Sequence, residues 1–403
     1  MPRLRVAPAQ PVDFPSLVRI QRAALAPVPF ERVIFGGVTA EDYAAYHSER
    51  FLRAAGDPPK ALLKAVLSRE GKEDSVLGMA LWELPKLEGA PDEPPKPRKW
   101  PNGARVELAA ALFGRRLRER HYHLSVLVVD PSYQRAGAGK ALLSWGCKEA
   151  DEEGLPVHLS ATDWGMPLYR RYGFENHGEP LVGGENGEIE LIPMVRSPTR
   201  IVPCSAADVP ALPSIYYLAF RASTVNRYCY PDVTAEAYIP WITTRFTAVL
   251  EARERGEKTE VIVAKRGEKV LGYASFAYVP EAEKRVKEMT ARTFPAGSDL
   301  QRASTFMAMF DRHKEQIREA HWSLDNLAIL PEAQGQGLGT ALSLPVLKRA
   351  QADVVCVTLE STEFGVALYE KLGFARMGAP LVAEDLPGVE QLWPMVYGQR
   401  KEP

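Results

Sequence analysis

Two stretches of the chain, about 200 residues apart, carry the same succession of apolar and polar positions. Residues 127–139 run Leu-Val-Val-Asp-Pro-Ser-Tyr-Gln-Arg-Ala-Gly-Ala-Gly, and residues 327–339 run Leu-Ala-Ile-Leu-Pro-Glu-Ala-Gln-Gly-Gln-Gly-Leu-Gly. In each, an apolar run that predicts a strand meets a proline, passes through Gln-x-x-Gly-x-Gly and enters a helix. About thirty residues past each glutamine comes Leu-Tyr-x-x-x-Gly-Phe, at 168–174 and again at 368–374. A repeat of this length predicts two copies of a whole domain rather than a solenoid.

The copies align beyond the glycine turn. Arg5-Val6 and Asp13-Phe14-Pro15 match Arg200-Ile201 and Asp208-Val209-Pro210. Val38-Thr-Ala-Glu-Asp-Tyr43 matches Val233-Thr-Ala-Glu-Ala-Tyr238, where the threonine predicts a helix N-cap. Val76-Leu77-Gly78 matches Val270-Leu271-Gly272, and Leu191–Val195 matches Leu392–Val396. The boundary falls near Ser197-Pro198, giving domains 1–198 and 199–403. Each copy reads strand, helices, two or three strands, glycine turn with its helix, strand, helix, strand. That is an α/β (α+β) pattern with a mixed sheet.

Two stretches interrupt the pattern. Residues 89–103 carry five prolines and predict a loop or extended segment. Residues 280–320 are charged and mostly helix-forming; they fit either a solvated amphipathic helix or an insert over a substrate cleft.

Composition narrows the function. With 46% apolar and 25% charged residues the chain reads as a soluble globular protein. A net charge of -1 gives no basic field, so nucleic acid is not an expected partner. Cys147, Cys204, Cys229 and Cys356 are scattered, which predicts free thiols and no metal site. The start lacks the apolar core of a signal peptide and no run approaches a membrane span, so no membrane partner and a cytosolic location are expected.

The turn suits a diphosphate. A helix N-terminus offers free N–H donors and the positive end of its dipole, and glycines at 137 and 139 would let phosphate oxygens approach the backbone. A Walker loop is excluded because Gly139-Lys140-Ala141 and Gly339-Thr340-Ala341 lack Gly-Lys-Ser/Thr. A dinucleotide fold could use Gly335-x-Gly337-x-Gly339 with Glu360. Its glycines come late, however, and the first copy has Ser160 where the acid would stand.

On these motifs both copies resemble the GNAT superfamily of acyl-CoA N-acyltransferases, whose signature is Gln/Arg-x-x-Gly-x-Gly/Ala after the fourth strand. Residues 121–174 resemble a fungal-type branch, with His-Leu-Ser-Val-Leu-Val-Val-Asp-Pro-Ser-Tyr-Gln-Arg, Ala-Asp-Glu-Glu-Gly-Leu-Pro and Pro-Leu-Tyr-Arg-Arg-Tyr-Gly-Phe. The resemblance covers the second half of each copy strongly and the first half weakly. It implies two tandem GNAT folds, acetyl-CoA as cofactor and a small-molecule amine as acceptor, in a monomer or an internal pseudo-dimer. The backbones of Leu127, Val128 and Val129, and of Leu327, Ala328 and Ile329, would pair with the pantetheine arm. Gln134, Arg135, Ala136, Gly137, Ala138, Gly139 and Lys140 would form one diphosphate cradle. Gln334, Gly335, Gln336, Gly337, Leu338, Gly339 and Thr340 would form the other. Tyr169 and Tyr369 would protonate the departing thiolate. Where relatives often have a cofactor-contacting asparagine, both copies have threonine, Thr162 and Thr362.

An amine attacks a thioester only when unprotonated, and a lysine-like amine has a pKa of about 10. A base is therefore required, together with donors for the oxyanion. Strand alternation predicts that 123, 125, 127 and 129 share one face. His123 would lie where arylalkylamine acetyltransferases carry a histidine of a proton relay, and Asp325 or Ser323 would occupy that region in the second copy. Glu83 and Glu360 are alternative bases, while His121 and His321 are expected to bond the strand entry. Trp145 and Trp164 are expected to pack.

Overall fold

A computed structural model describes residues 3–56, 60–85, 99–113, 119–282, 293–382 and 392–398. Most of the proline-rich segment 89–103, and residues 283–292 of the charged insert, lie outside them. The chain separates into two compact units, Met1–Pro198 and Thr199–Pro403.

In the first unit the strands are β1 (Arg3–Pro8), β2 (Lys60–Arg69), β3 (Lys72–Glu83), β4 (Tyr122–Val129), β5 (Val157–Ala161), β6 (Glu175–Asn176), β7 (Leu181–Gly183) and β8 (Ile189–Arg196). They lie in the order β1-β2-β3-β4-β5-β8-β6, with β7 beside β8. The second unit has β9 (Thr199–Pro203), β10 (Thr259–Arg266), β11 (Lys269–Val279), β12 (His321–Ile329), β13 (Cys356–Thr362), β14 (Ala375–Arg376) and β15 (Leu392–Tyr397). Their order, β9-β10-β11-β12-β13-β15-β14, repeats the first. The pairs β4·β5 and β12·β13 are parallel and the other neighbours antiparallel, so both sheets are mixed. A parallel pair needs a crossover, here the helices Ala138–Glu153 and Leu338–Asp353.

The repeat extends to side chains. Thr39 accepts from the Asp42 N–H at 3.1 Å, and Thr234 from that of Ala237 at 3.4 Å, opening the two helices as the sequence predicts. Asp13 meets Lys64 at 2.7 Å and Asp208 meets Lys265 at 2.8 Å, pinning each helix entry to the second strand of its sheet. Burial opposes ionisation of Asp208, but the Lys265 ammonium and the Ser205 donors outweigh it and hold its carboxyl below the usual range. In the first unit Arg196, 2% exposed, grips Asp151 through both terminal nitrogens at 2.7 and 2.8 Å and gives Nε–H to the Tyr172 carbonyl. The second unit has a neutral bond in the corresponding place, from the Gln351 amide to the Tyr397 hydroxyl.

Apolar residues cover both faces of the first sheet. Leu142, Leu143 and Cys147 of the crossover helix pack with Trp82 and Leu159 on one face. Phe14, Leu17 and Phe51 pack with Met79 and Leu81 on the other. Trp145 packs against Trp82, but Trp164 is 73% exposed and packs into neither core, against the sequence expectation. No described helix is long and apolar enough to cross a membrane.

The crossover helices end differently. Gly154 takes the left-handed conformation that closes the first (φ 68°), whereas Val354 does so in the second (φ 55°). A β-branched residue there is strained, and Val354 is 81% exposed, so its side chain recovers little by packing. Val354→Gly should stabilise the second unit by about 1 kcal/mol, raising its Tm by about 2–4 °C in a thermal scan. An unchanged Tm would show that the strain is relieved elsewhere.

Candidate functional site

In both units the parallel strands part soon after they meet. β4 and β5 pair only from Tyr122 to Leu124, and β12 and β13 only from His321 to Ser323. β4 nevertheless continues to Val129 and β12 to Ile329, held on their other side by β3 and β11. A bulge accompanies the parting. Trp82 faces Leu124 while Leu81 faces Val126, so Ser125 is the extra residue; Asp325 occupies the same place between Leu324 and Asn326. The backbones of Leu127–Val129 and Leu327–Ile329 thus have no strand partner on the opened side among the described residues.

The bulge corrects the expected facing. Leu124, Leu127 and Val129 pack on the crossover-helix side, while Val126 and Val128 pack on the other. The extra residue at 125 reverses the alternation, so 127 and 129 do not share a face with 123.

At the end of each opened strand a single turn over Pro131–Tyr133 or Pro331–Ala333 leads to the glycine turn. Gly137 and Gly337 are left-handed at φ 89° and 87°, and each directly precedes a crossover helix whose first residue has no side-chain cap. Gly335 is also left-handed at 72°, which glycine adopts freely; in the first copy Arg135 takes this conformation at 65°, strained because it has a Cβ. Ala138, Gly139 and Lys140, and Leu338, Gly339 and Thr340, form the first helical turns.

Some cradle residues are engaged within the protein. The Gln334 amide donates to the Ile329 carbonyl at 3.2 Å and that of Gln336 to the Glu332 carbonyl, while the Ala136 N–H turns back to Tyr133. Gly139 and Gly339 face inward: a Cβ on Gly339 would lie 2.9 Å from Leu368, and one on Gly139 3.7 Å from Leu168. At Gly339 the missing side chain relieves this packing, whereas at Gly139 the contact would be an ordinary one.

The second unit joins this opening to a cavity of about 540 Å³. Its walls include Asp325, Leu327, Glu360, Thr362 and Tyr369, with Phe220, Phe306 and Phe310 opposite. Helix Leu300–Glu315 supplies Phe306, Phe310, Asp311 and Lys314, so this part of the charged insert lines the cleft. Lys314 donates to Asp325 Oδ1 at 3.2 Å and the Ser323 hydroxyl to the same oxygen at 2.8 Å. The Glu360 side chain is 5% exposed, with Oε1 3.6 Å from His313 Nε2. Burial raises its pKa and the Asp325 carboxylate adds to this, against the pull of Lys314. Burial likewise raises the Tyr369 hydroxyl far above neutrality, keeping it a proton donor.

The first unit separates these parts. Its cavity, about 100 Å³, is lined by His123, Glu83, Ser125 and Ser160 together with Glu31, His47 and Trp100, but Tyr169 is not in its lining. Tyr169 is buried against Phe174, and burial raises its pKa too. Glu83 accepts the Ser125 hydroxyl at 2.8 Å. Burial raises Glu31 to about 7 and lowers His47 to about 3. Neither was visible in the sequence, because both sit on helices in the weakly matched half. His121 and His321 bond the carbonyls of Glu119 and Glu319 at the strand entries. His158 also escaped the sequence reading; it stands beside His123 across β4 and β5.

Residues 226–374 match a family model described as the acetyltransferase (GNAT) family, and residues 106–197 one described as an acetyltransferase (GNAT) domain. The chain belongs to the GNAT superfamily. Its two mixed sheets, each opened after the glycine-turn strand, are two GNAT folds, and the chain is an acyltransferase. An acetyltransferase of Stachybotrys chartarum is 28% identical over 158 residues, covering 36% of this chain and 68% of that protein. A glucosamine 6-phosphate N-acetyltransferase of Trypanosoma brucei brucei is 39% identical over 56 residues, 14% of this chain and 38% of that enzyme. The solved structure of arylalkylamine N-acetyltransferase 2 from Aedes aegypti covers 50% of this chain and 98% of its own, with 13% identity and a TM-score of 0.38. That likeness carries no statement about the GNAT protein's substrate.

Proposed function

We propose that the chain is an acetyl-CoA-dependent N-acetyltransferase for a small cationic amine and that the second unit carries the reaction. One observation supports this most: a single cavity there meets the opened strand at Leu327, a protonated tyrosine at 369 and the carboxylates of Asp325 and Glu360. The residues fit the cofactor. The backbone of Leu327–Ile329, which has no strand partner on the opened side among the described residues, would take the amides of a pantetheine arm once the Gln334 amide leaves the Ile329 carbonyl, and the left-handed Gly335 and Gly337 with the uncapped helix behind them would take the diphosphate. Bound there, acetyl-CoA supplies an activated acyl carbonyl.

The chain's own residues do the rest. Glu360, whose pKa burial raises above the ordinary carboxylate value, takes a proton from the incoming ammonium; Asp325, anchored by Lys314 and Ser323, holds the amine's charge at the entrance. Tyr369 gives its proton to the leaving sulfur. Phe220, Phe306 and Phe310 favour an amine with an apolar body. The first unit fits a second role, binding the cofactor without turnover, because His123 and Tyr169 do not line one cavity.

The purified chain incubated with acetyl-CoA and a panel of amines should release free thiol, and Tyr369→Phe should lower kcat by roughly tenfold or more. Absence of acetyl-CoA binding by calorimetry would end the proposal. Equal losses from Tyr369→Phe and Tyr169→Phe would remove its assignment to the second unit.

A further inference from the structure

Three of the chain's seven histidines meet at one spot in the first unit, where the sequence reading expects no metal. His121 and His123 flank Tyr122 at the start of β4, and the parallel register sets His158 of β5 beside His123. The Nδ1 atoms of His123 and His158 are 3.1 Å apart, with their rings stacked at 5.2 Å. The His121 ring stands edge-on to both, at 6.2 and 5.8 Å. One ligating nitrogen from each of the three lies within 4.8 Å of the other two.

We propose that His121, His123 and His158 form a binding site for a zinc-class divalent ion, with three imidazole nitrogens as ligands and one position left for water. Imidazoles suit zinc, copper and nickel, and three histidines with one open position is a common zinc arrangement. Zinc–nitrogen bonds of about 2.0–2.1 Å place tetrahedral ligands about 3.3 Å apart, close to the His123–His158 spacing already present. His121 is half-buried and precedes the strand, so it is the ligand free to close the remaining distance.

The hydrogen bonding agrees with this geometry. Nδ1 of His121 lies 2.7 Å from the Glu119 carbonyl, a bond that places the proton on Nδ1 and leaves the Nε2 lone pair to coordinate. The second unit is an internal control. It keeps the His321–Glu319 bond but has Ser323 and Thr358 at the other two positions. The carbonyl bond is thus common to both folds and the ligand set belongs to the first unit. The ion would sit where His123 reaches the first-unit cavity beside Glu83, so its water would face that cavity.

The full chain, stripped with a chelator, should bind one Zn²⁺ tighter than about 1 μM in competition with a chromophoric chelator. Co²⁺ in its place should give the visible absorption of a four-coordinate site. His121→Ala, on the exposed side of the cluster, should weaken binding at least ~100-fold with an unchanged far-UV circular dichroism spectrum. His158→Gln should do the same, and His321→Ala should leave binding as it was. Zn²⁺ binding weaker than about 10 μM, or binding equal in His121→Ala and the unsubstituted chain, overturns the proposal.

Discussion

Glu360→Gln should lower kcat by roughly 10²–10⁴-fold, the range expected when a positioned base is lost. The amide keeps the shape and burial of the carboxylate but cannot accept the proton. Because burial raises the Glu360 pKa, the acid limb of the rate profile should lie above the ordinary carboxylate range, and the variant should lose that limb. Stability should move the other way. A carboxyl whose folded pKa is raised contributes stability that is complete below its unfolded pKa and lost as pH rises through the folded one. Near neutrality the ionised Glu360 therefore costs the fold something that glutamine does not. A variant that is slow but melts higher than the parent at pH 7 fits this account. One that is slow and melts lower points to simple misfolding, and one that keeps its rate removes Glu360 from the reaction.

Asp151→Ala should destabilise the first unit by about 3–5 kcal/mol. The change takes the paired carboxylate away from the Arg196 guanidinium, which is buried beneath the crossover helix. Burial alone would weaken its charge; the Asp151 carboxylate more than restores it. Replacing both residues, Asp151→Leu with Arg196→Met, should recover most of the loss, because an apolar pair needs no compensation for desolvated charge. Denaturant unfolding followed by far-UV circular dichroism reads both effects. A loss under about 1 kcal/mol for Asp151→Ala would place the pair among solvated surface bridges, which contribute little. The Gln351–Tyr397 counterpart in the second unit carries no net charge, so its truncation should cost only an ordinary hydrogen bond, about 1 kcal/mol.

Much of the architecture was legible because it is periodic or repeated. Apolar runs, prolines and glycines gave the element order, and the Thr39 and Thr234 caps follow from local chemistry. Long-range placement was not legible. Nothing about Ser125 or Asp325 as residue types announces a bulge, yet it sets which side chains face the opening. The His123–His158 contact depends on the register of two strands 35 residues apart. Asp13–Lys64 and Asp208–Lys265 are repeated pairs whose lysines lie in strands that otherwise show little identity. Lys314 reaches Asp325 from a helix with no counterpart in the aligned motifs, so only the folded chain shows that the insert supplies a charge to the cleft.

The parting of β4 from β5, and of β12 from β13, also bears on how each sheet avoids pairing with another chain. An unpaired strand edge on a protein's outside is a template for another chain and a route to aggregation. Here the unpaired edges lie inside the sheet, with neighbouring strands continuing on either side. A second polypeptide cannot pair along them without forcing the sheet apart. A gap placed this way is guarded by its own thickness rather than by a covering element.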